Sequence, residues 1–557
     1  MISPFLLVFS LLGIFQDGSG DPATGPGVEA WPKGALEALE RIRTPEGISK
    51  RIIAAGPLVR DPVAFAIDAQ GRAYVCESER QEFGVEDNRS SPFWLDDDLA
   101  LQTVDDRLAM YEKHKDRRQD GMGYYTARED RLTCLSDKDG DGIMDTVRPF
   151  TEAFAEPLDG TLAGVLVEDG TAWITNIPHL WIATDADQDG QAESRRSAQR
   201  GFGVRIALRG HDMHGLVRGP DGRIYFSIGD RGFYLQTADG RILHDAGSGA
   251  VFRCEPDGSD LEVVHVGLRN PQELAFNDFG DLFTGDNNSD AGDQARIVQI
   301  LPGGETGWRM EYQTLEGRNQ RGPWNQEGIW QVEHPLRPRW ASPPITHLGS
   351  GPSGLVYHPG TGFRPDLAGS FFMCDFRGDP AASLLWRFRL QPQGAGYRLS
   401  EKEKFIEGVL CTDVDFTPNG ALWISAWGGG WVSTDRGRLF EFTDSDGLRP
   451  AVEMGVEDLL KRQDLGSFAA DQLAGSVTLE RLLGAADRRV RQRIQRHLAH
   501  GGEKEADLLV SIARGDFSHS EIPFSRIHAL WGLEEWTRRN PTETGDRLLS
   551  QIGRAHV

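Results

Sequence analysis

Read for its alternation of apolar and polar positions, the chain repeats one module six times: an apolar strand, a tight turn carrying Asp, Asn or Gly, and a second apolar strand with aromatic residues. The repeats fall at 64–76, 163–175, 214–226, 272–283, 353–374 and 412–424. A period of two on either side of a turn such as Gly219-Pro-Asp-Gly222 or Pro418-Asn-Gly420 is a hairpin signature. One such hairpin leaves apolar surface uncovered, and radial repetition buries it blade against blade while leaving only short edges. The pattern therefore predicts a mainly β fold, a six-bladed β-propeller over 52–443. A charged stretch at about 80–130 interrupts the first two repeats, and we read it as a rim insertion with a helix near 97–115.

After about residue 444 the period changes. Segments 452–463, 476–483, 486–500 and 527–539 carry apolar residues three and four apart, with Ala and Leu replacing Gly and β-branched residues. Paired helices of this kind predict a short HEAT-like helical repeat region over 444–550. The last seven residues, Gln551-Ile-Gly-Arg-Ala-His-Val557, match a reading frame through a common sequencing-library adapter. They are excluded from the functional reading, and the natural chain is expected to continue past them. At the other end, the apolar run 2–15 has the length of a signal-peptide core and is short for a membrane span. Residues 1–20 are thus expected to be an export signal, 21–51 a linker, and the processed protein a periplasmic or cell-surface one with no transmembrane span.

Charge and cysteine content narrow the function. A formal charge of -24 repels a phosphate backbone, which excludes nucleic acid as a partner. The five cysteines stand singly, without a Cys-x-x-Cys pair, so no zinc ribbon or covalent haem site is expected, and they read as buried small apolar residues. Two loops, Asp137-Lys-Asp139-Gly-Asp141-Gly-Ile-Met-Asp145 and Asp185-Ala-Asp187-Gln-Asp189-Gly-Gln-Ala-Glu193, place acidic side chains at positions one, three, five and nine with Gly at six. That spacing turns hard oxygen donors inward on a tight loop, as calcium requires; the other reading is a pair of solvated turns. Five tryptophans, Trp308, Trp324, Trp340, Trp427 and Trp431, read as inter-blade packing, with Trp427-Gly-Gly-Gly-Trp431 the one loop whose indoles could face a ligand.

The segment from Gly210-His211-Asp-Met-His214 to Gly229-Asp230 resembles the soluble quinoprotein glucose/sorbosone dehydrogenases, in which a catalytic His precedes a Gly-Pro-Asp turn by eight positions. The resemblance continues through Arg269-Asn270-Pro-Gln and Gly285-Asp-Asn287-Asn288-Ser289. It implies His211 as general base toward a sugar or alcohol hydroxyl, pyrroloquinoline quinone as hydride acceptor near Asn270, and calcium at Asn287, Asn288 and Ser289. Where that family carries quinone-binding arginines, this chain has Phe233 and Leu410-Cys-Thr412, so Arg231 and Arg377 are the candidate replacements. The whole chain is also similar to bacterial proteins grouped as membrane-bound dehydrogenases, which join such a propeller to HEAT-like repeats and a cytochrome c domain. On that resemblance haem would sit on a C-terminal domain beyond this chain, and a cytochrome c would accept the electrons. The sequence leaves a rival open, a non-catalytic propeller that binds carbohydrate or protein, and a minor third reading, calcium-dependent hydrolysis of the propeller-lactonase kind.

Overall fold

The computed structural model describes residues 23–24, 31–290, 293–312, 342–432, 434–444, 455–462, 465, 478–516 and 523–541. The expected signal segment 1–20, the closing residues 551–557, and Trp324 and Trp340 lie outside the described residues.

Six antiparallel sheets form a ring, as the repeats predict. Their innermost strands are Pro62–Ile67, Gly164–Glu168, Met213–Arg218, Pro271–Phe276, Pro352–Tyr357 and Cys411–Phe416, one in each of blades 1 to 6, and each packs against the next around the axis. Each repeat read from the sequence is the first hairpin of a blade. Strands three and four of each blade lie farther out and carry more exposed positions, as in Ser194–Arg200.

The ring closes between the two ends of the propeller sequence. Ile48–Ala55 pairs antiparallel with Arg438–Asp444 as the outer strand of blade 6, and Arg51 Nε meets Glu441 Oε1 at 2.6 Å. Just before it, helix Lys33–Arg41 buries Ala35 and Ala38 against blades 5 and 6. Structure thus begins inside the segment expected to be a linker. The reason is local: Ala35, Ala38, Ile42 and Ile48 join one buried cluster, apolar surface that an unpaired segment would leave in water.

Blade 1 carries the rim insertion between its second and third strands, Ala73–Ser78 and Asp130–Ser136. It holds two short helices, Leu95–Ala100 and Val104–His114, instead of one. Thr103 breaks the run, its side chain accepting from Asp106 N at 3.2 Å while Asp106 accepts from Thr103 N at 2.9 Å. Trp94, Tyr111 and Tyr125 of the insertion pack with Val204 and Ile206, so it leans on the segment that leads into His211.

The inner strands start at one mouth of the axial channel and end at the other, and helices cover the second mouth. Helix Arg488–Ala499 lies across it, with Arg489 donating to Thr417 O, Arg493 paired with Asp169 at 2.8 Å, Arg496 with Glu168 at 2.5 Å, and Gln495 donating to Pro220 O at 2.7 Å. Helices Glu503–Arg514 and Pro523–Arg539 share a separate apolar core with it, built on Ile494, Leu509, Leu533 and Trp536. The segment 503–514 is one the helical periodicity did not single out. No helix of the described residues is long and apolar enough to cross a membrane. All five cysteines are buried and free.

Candidate functional site

A device repeated from blade to blade builds the open mouth. In blade 1 the second strand ends near Glu77, opposite Pro62, and its carboxylate accepts from Arg60 N at 2.7 Å. In blade 4 Asp286, opposite Pro271, accepts from Arg269 N at 3.0 Å and Asn270 N at 2.8 Å. In blade 5 Asp375, opposite Pro352, accepts from Ser350 N and Gly351 N, both at 2.9 Å. An acid at the end of strand two thus clasps the amides leading into strand one, which would otherwise be buried donors without partners.

Blade 3 has Ile228 at that position, opposite Met213, and its acid, Asp230, lies two residues beyond. Asp230 Oδ1 lies 2.7 Å from His211 Nδ1, and its other oxygen accepts from Trp308 Nε1 at 2.8 Å. Asp230 N donates to Arg269 O at 2.8 Å, which ties the pair to blade 4, and the Arg269 guanidinium lies over the Trp308 ring at 5.7 Å. Burial alone would push the Asp230 carboxyl up. The adjoining His211, Arg269 and the Trp308 N–H outweigh it and hold the group below the ordinary carboxylate range. An ionised acceptor at 2.7 Å favours the tautomer of His211 with its proton on Nδ1, and the residue borders the cavity.

That cavity occupies about 590 Å³ at the open mouth and is lined by His211, His214, Asn270, Gln272, Asn287, Ser353 and Thr412, with Phe376, Trp427 and Trp431 on one side. The insertion adds Gln81, Glu82, Asp87, Arg89 and Ser90, which no local motif pointed to. His214 is held by the backbone. Burial lowers its proton affinity, and its Nε2 lies 2.9 Å from Gly210 O. Asn270 is buried in the wall, and its Oδ1 has no hydrogen-bond partner among the described residues. A buried acceptor left so is satisfied by a ligand hydroxyl or a water.

The other residues proposed from sequence lie elsewhere. Arg231 is fully buried behind the site, with Nε 3.2 Å from Asp212 and Nη2 donating to Glu86 O and Leu208 O, so it faces no ligand. Arg377 is exposed and outside the cavity wall. Neither supplies the cation that was expected to replace the quinone-binding arginines. Three other guanidinium groups do reach the cavity, but each is matched: Arg89 with Asp87 at 2.8 Å, Arg209 with Glu82 at 3.1 Å and Arg269 with Asp290 at 2.9 Å. The described wall is therefore charge-balanced, and a tricarboxylate quinone does not fit it by charge.

The two acidic loops sit at the turn between strands three and four of blades 1 and 2, away from the cavity. Oxygens of Asp137, Asp139 and Asp145 lie within 4.8 Å of one another, as do those of Asp185, Asp187 and Glu193. Asp141 and Asp189 stand outside those groups. Asp141 accepts from Ile143 N at 2.8 Å, and Asp189 accepts from Gln191 N at 2.9 Å and pairs with Arg148 at 3.1 Å. In the 287–289 loop, Asn287 Oδ1 accepts from Asn288 N, Asn288 Nδ2 donates to Asp293 O, and the Ser289 hydroxyl donates to Asp293. Only Asn287 of the three lines the cavity. Among the described residues no group of three acidic or imidazole ligands gathers at this loop.

Sequence reasoning passed over Asp230 and Trp308 as site residues. Asp230 stood in the Gly229-Asp230 pair that carries the family resemblance but was given no role there; Trp308, which is 78 positions away from it, was read only as packing.

Quinoprotein glucose dehydrogenase B of Acinetobacter calcoaceticus is 33% identical over 125 residues, covering 18% of this chain and 26% of that protein. The chain thus spans about a quarter of the length of the curated relative it matches. Among solved structures, a glucose dehydrogenase-type oxidoreductase from Thermus thermophilus is 18% identical, with 71% of this chain and 100% of that one covered at a TM-score of 0.43. The PQQ-bound aldose sugar dehydrogenase of Streptomyces coelicolor is also 18% identical, with 72% and 100% covered at 0.39. A family model described as a domain of unknown function, DUF7133, matches residues 35–427, well over half of the chain, and the protein belongs to that family.

Proposed function

We propose that the protein is a dehydrogenase-like propeller that binds a sugar or related alcohol in its axial cavity, with His211 taking the proton of the hydroxyl to be oxidised. The observation that carries the reading is the His211–Asp230 pair at 2.7 Å, buried on one side and bordering the cavity on the other. A neutral imidazole whose Nδ1–H is held by a carboxylate becomes a stronger base at Nε2 and stabilises the imidazolium that forms. The amide, hydroxyl and aromatic groups of the wall suit an uncharged polyol, and the unmet Asn270 Oδ1 offers an acceptor for one of its hydroxyls. The similarity to a quinoprotein glucose dehydrogenase supports a sugar as substrate, and the electrons leave by a quinone or haem-linked path on this reading. The charge-balanced wall assigns no residue to a tricarboxylate quinone, so the reading rests on the proton step. The apolar run 2–15 supports a site of action outside the cytoplasm.

The same charge balance favours a second reading, a propeller that binds carbohydrate without oxidising it. One experiment separates them. Purified protein is incubated with calcium and pyrroloquinoline quinone, and dye reduction is followed across a panel of aldoses and alditols, alongside sugar binding by calorimetry. Turnover that disappears in His211→Asn supports the enzyme. Binding without turnover under every condition supports the second reading, and absence of both removes the cavity from consideration as a sugar site.

A further inference from the structure

We propose that Trp431 is a preformed platform for a second sugar ring, so that the preferred ligand is an oligosaccharide and not a single sugar. The inference rests on the sugar reading of the cavity and extends it outward. Trp431 lines the cavity mouth yet is 61% exposed, an unusual state for the largest apolar side chain unless its open face has a use.

The indole is held in place. Its ring meets Phe376 edge-on, with centroids 5.0 Å apart and planes at 68°. Beneath it lies Gly378, where a Cβ would collide with the indole Nε1, so that only glycine lets the ring settle there. Gly430 N donates to Gly378 O at 2.9 Å, which locks the two loops together. Within the loop, Trp427 Nε1 donates to Val432 O at 3.1 Å and closes the turn. Gly429 and Gly430 adopt φ of 143° and 71°, values that a side chain would strain, and nothing stands where their Cβ atoms would be. The result is an aromatic face fixed on one side, open on the other, and beside a strip of bare backbone.

Such a surface recognises the apolar C–H face of a pyranose, and its rigidity removes the ordering cost that a mobile side chain would carry. Charged partners do not suit it, since Trp431 brings no charge and the ionic groups of the described wall are matched. With His211 in the wall of the same cavity, one ligand could engage the base with its terminal ring and Trp431 with a following ring.

The test is calorimetric binding of glucose, cellotriose and maltotriose to the full chain and to Trp431→Ala and Trp431→Phe. The wild type is expected to bind one trisaccharide roughly ten-fold tighter than glucose, a difference of about 1.4 kcal/mol. Trp431→Ala should bring that ratio close to one, whereas Trp431→Phe should keep most of it. A ratio near one in the wild type, or a ratio that survives Trp431→Ala, overturns the platform and leaves the sugar reading of the cavity standing. Failure of the wild type to bind any of the three overturns both.

Discussion

Glu168 offers the sharpest test of how the channel is closed. It ends the inner strand of blade 2 and sits between Arg218 Nε of blade 3 at 2.6 Å and Arg496 Nη1 of the covering helix at 2.5 Å. Burial would raise its pKa, but the two guanidinium groups outweigh that and bring it from 4.5 down to about 2. The depression corresponds to about 3 kcal/mol in favour of the folded, ionised form. Because the carboxylate is 21% exposed, water weakens both contacts, and about 2 to 3 kcal/mol is the expected cost of removing the charge. A group whose folded pKa lies below its unfolded one contributes stability that is complete above the unfolded value. That contribution is lost as pH falls from about 4.5 toward 2. Glu168→Gln keeps the shape and removes the charge; the Arg218 contact within the propeller survives opening of the cover, so only the Arg496 share, about 1 to 1.5 kcal/mol, is felt there, and the opening equilibrium should rise roughly 5- to 13-fold at pH 7. Native-state hydrogen exchange of Arg488–Ala499 reads this directly, with the inner strands as internal reference. The wild type should loosen in the same helix as pH falls below about 4.5, and the variant should lack that part of the pH dependence. Exchange within twofold of wild type, or an equal acceleration in all six blades, would refute the reasoning.

Three further outcomes follow from the site. Asp230→Asn removes the charge that positions His211 while conserving volume, so kcat should fall by about 10² to 10⁴ with KM little changed; a loss below ten-fold in steady-state assays would deny the pair its role. Terbium or calcium titration should reveal two weak sites, with dissociation constants of about 10⁻⁴ to 10⁻³ M, and Asp139→Ala and Asp187→Ala should each remove one; saturation unchanged in both variants would mark the loops as solvated turns. Arg231→Ala leaves Asp212 buried without its cation and should cost about 3 to 5 kcal/mol in urea unfolding, whereas Arg377→Ala should shift the midpoint negligibly; equal midpoints for the two would show that the Arg231–Asp212 pair contributes nothing.

The division between sequence and tertiary structure runs along the range of the interactions. Each blade's first hairpin was legible because its strands and turn are contiguous: Gly219-Pro-Asp-Gly222 bends the chain, and a period of two on either side decides which face is buried. Six such units imply a closed ring, and His211 was found because it stands just before the third of them, in the segment that resembles the quinoprotein dehydrogenases. What the ring then brought together could not be read locally. Trp308 reaches Asp230 because Gly304–Glu305, just before it, returns to pair with the outer strand of blade 3, and Asp87, Arg89 and Glu82 reach the cavity because an insertion in blade 1 folds over the mouth of a channel whose walls come from other blades. The fate of each arginine is the clearest case. Arg231 and Arg269 look alike in sequence, yet one is consumed by Asp212 and two carbonyls while the other borders the cavity. Coulombic and hydrogen-bond energies fall off within a few ångströms, so the partner a charge finds is set by which backbone passes beside it after closure, and pattern along the chain carries no record of that.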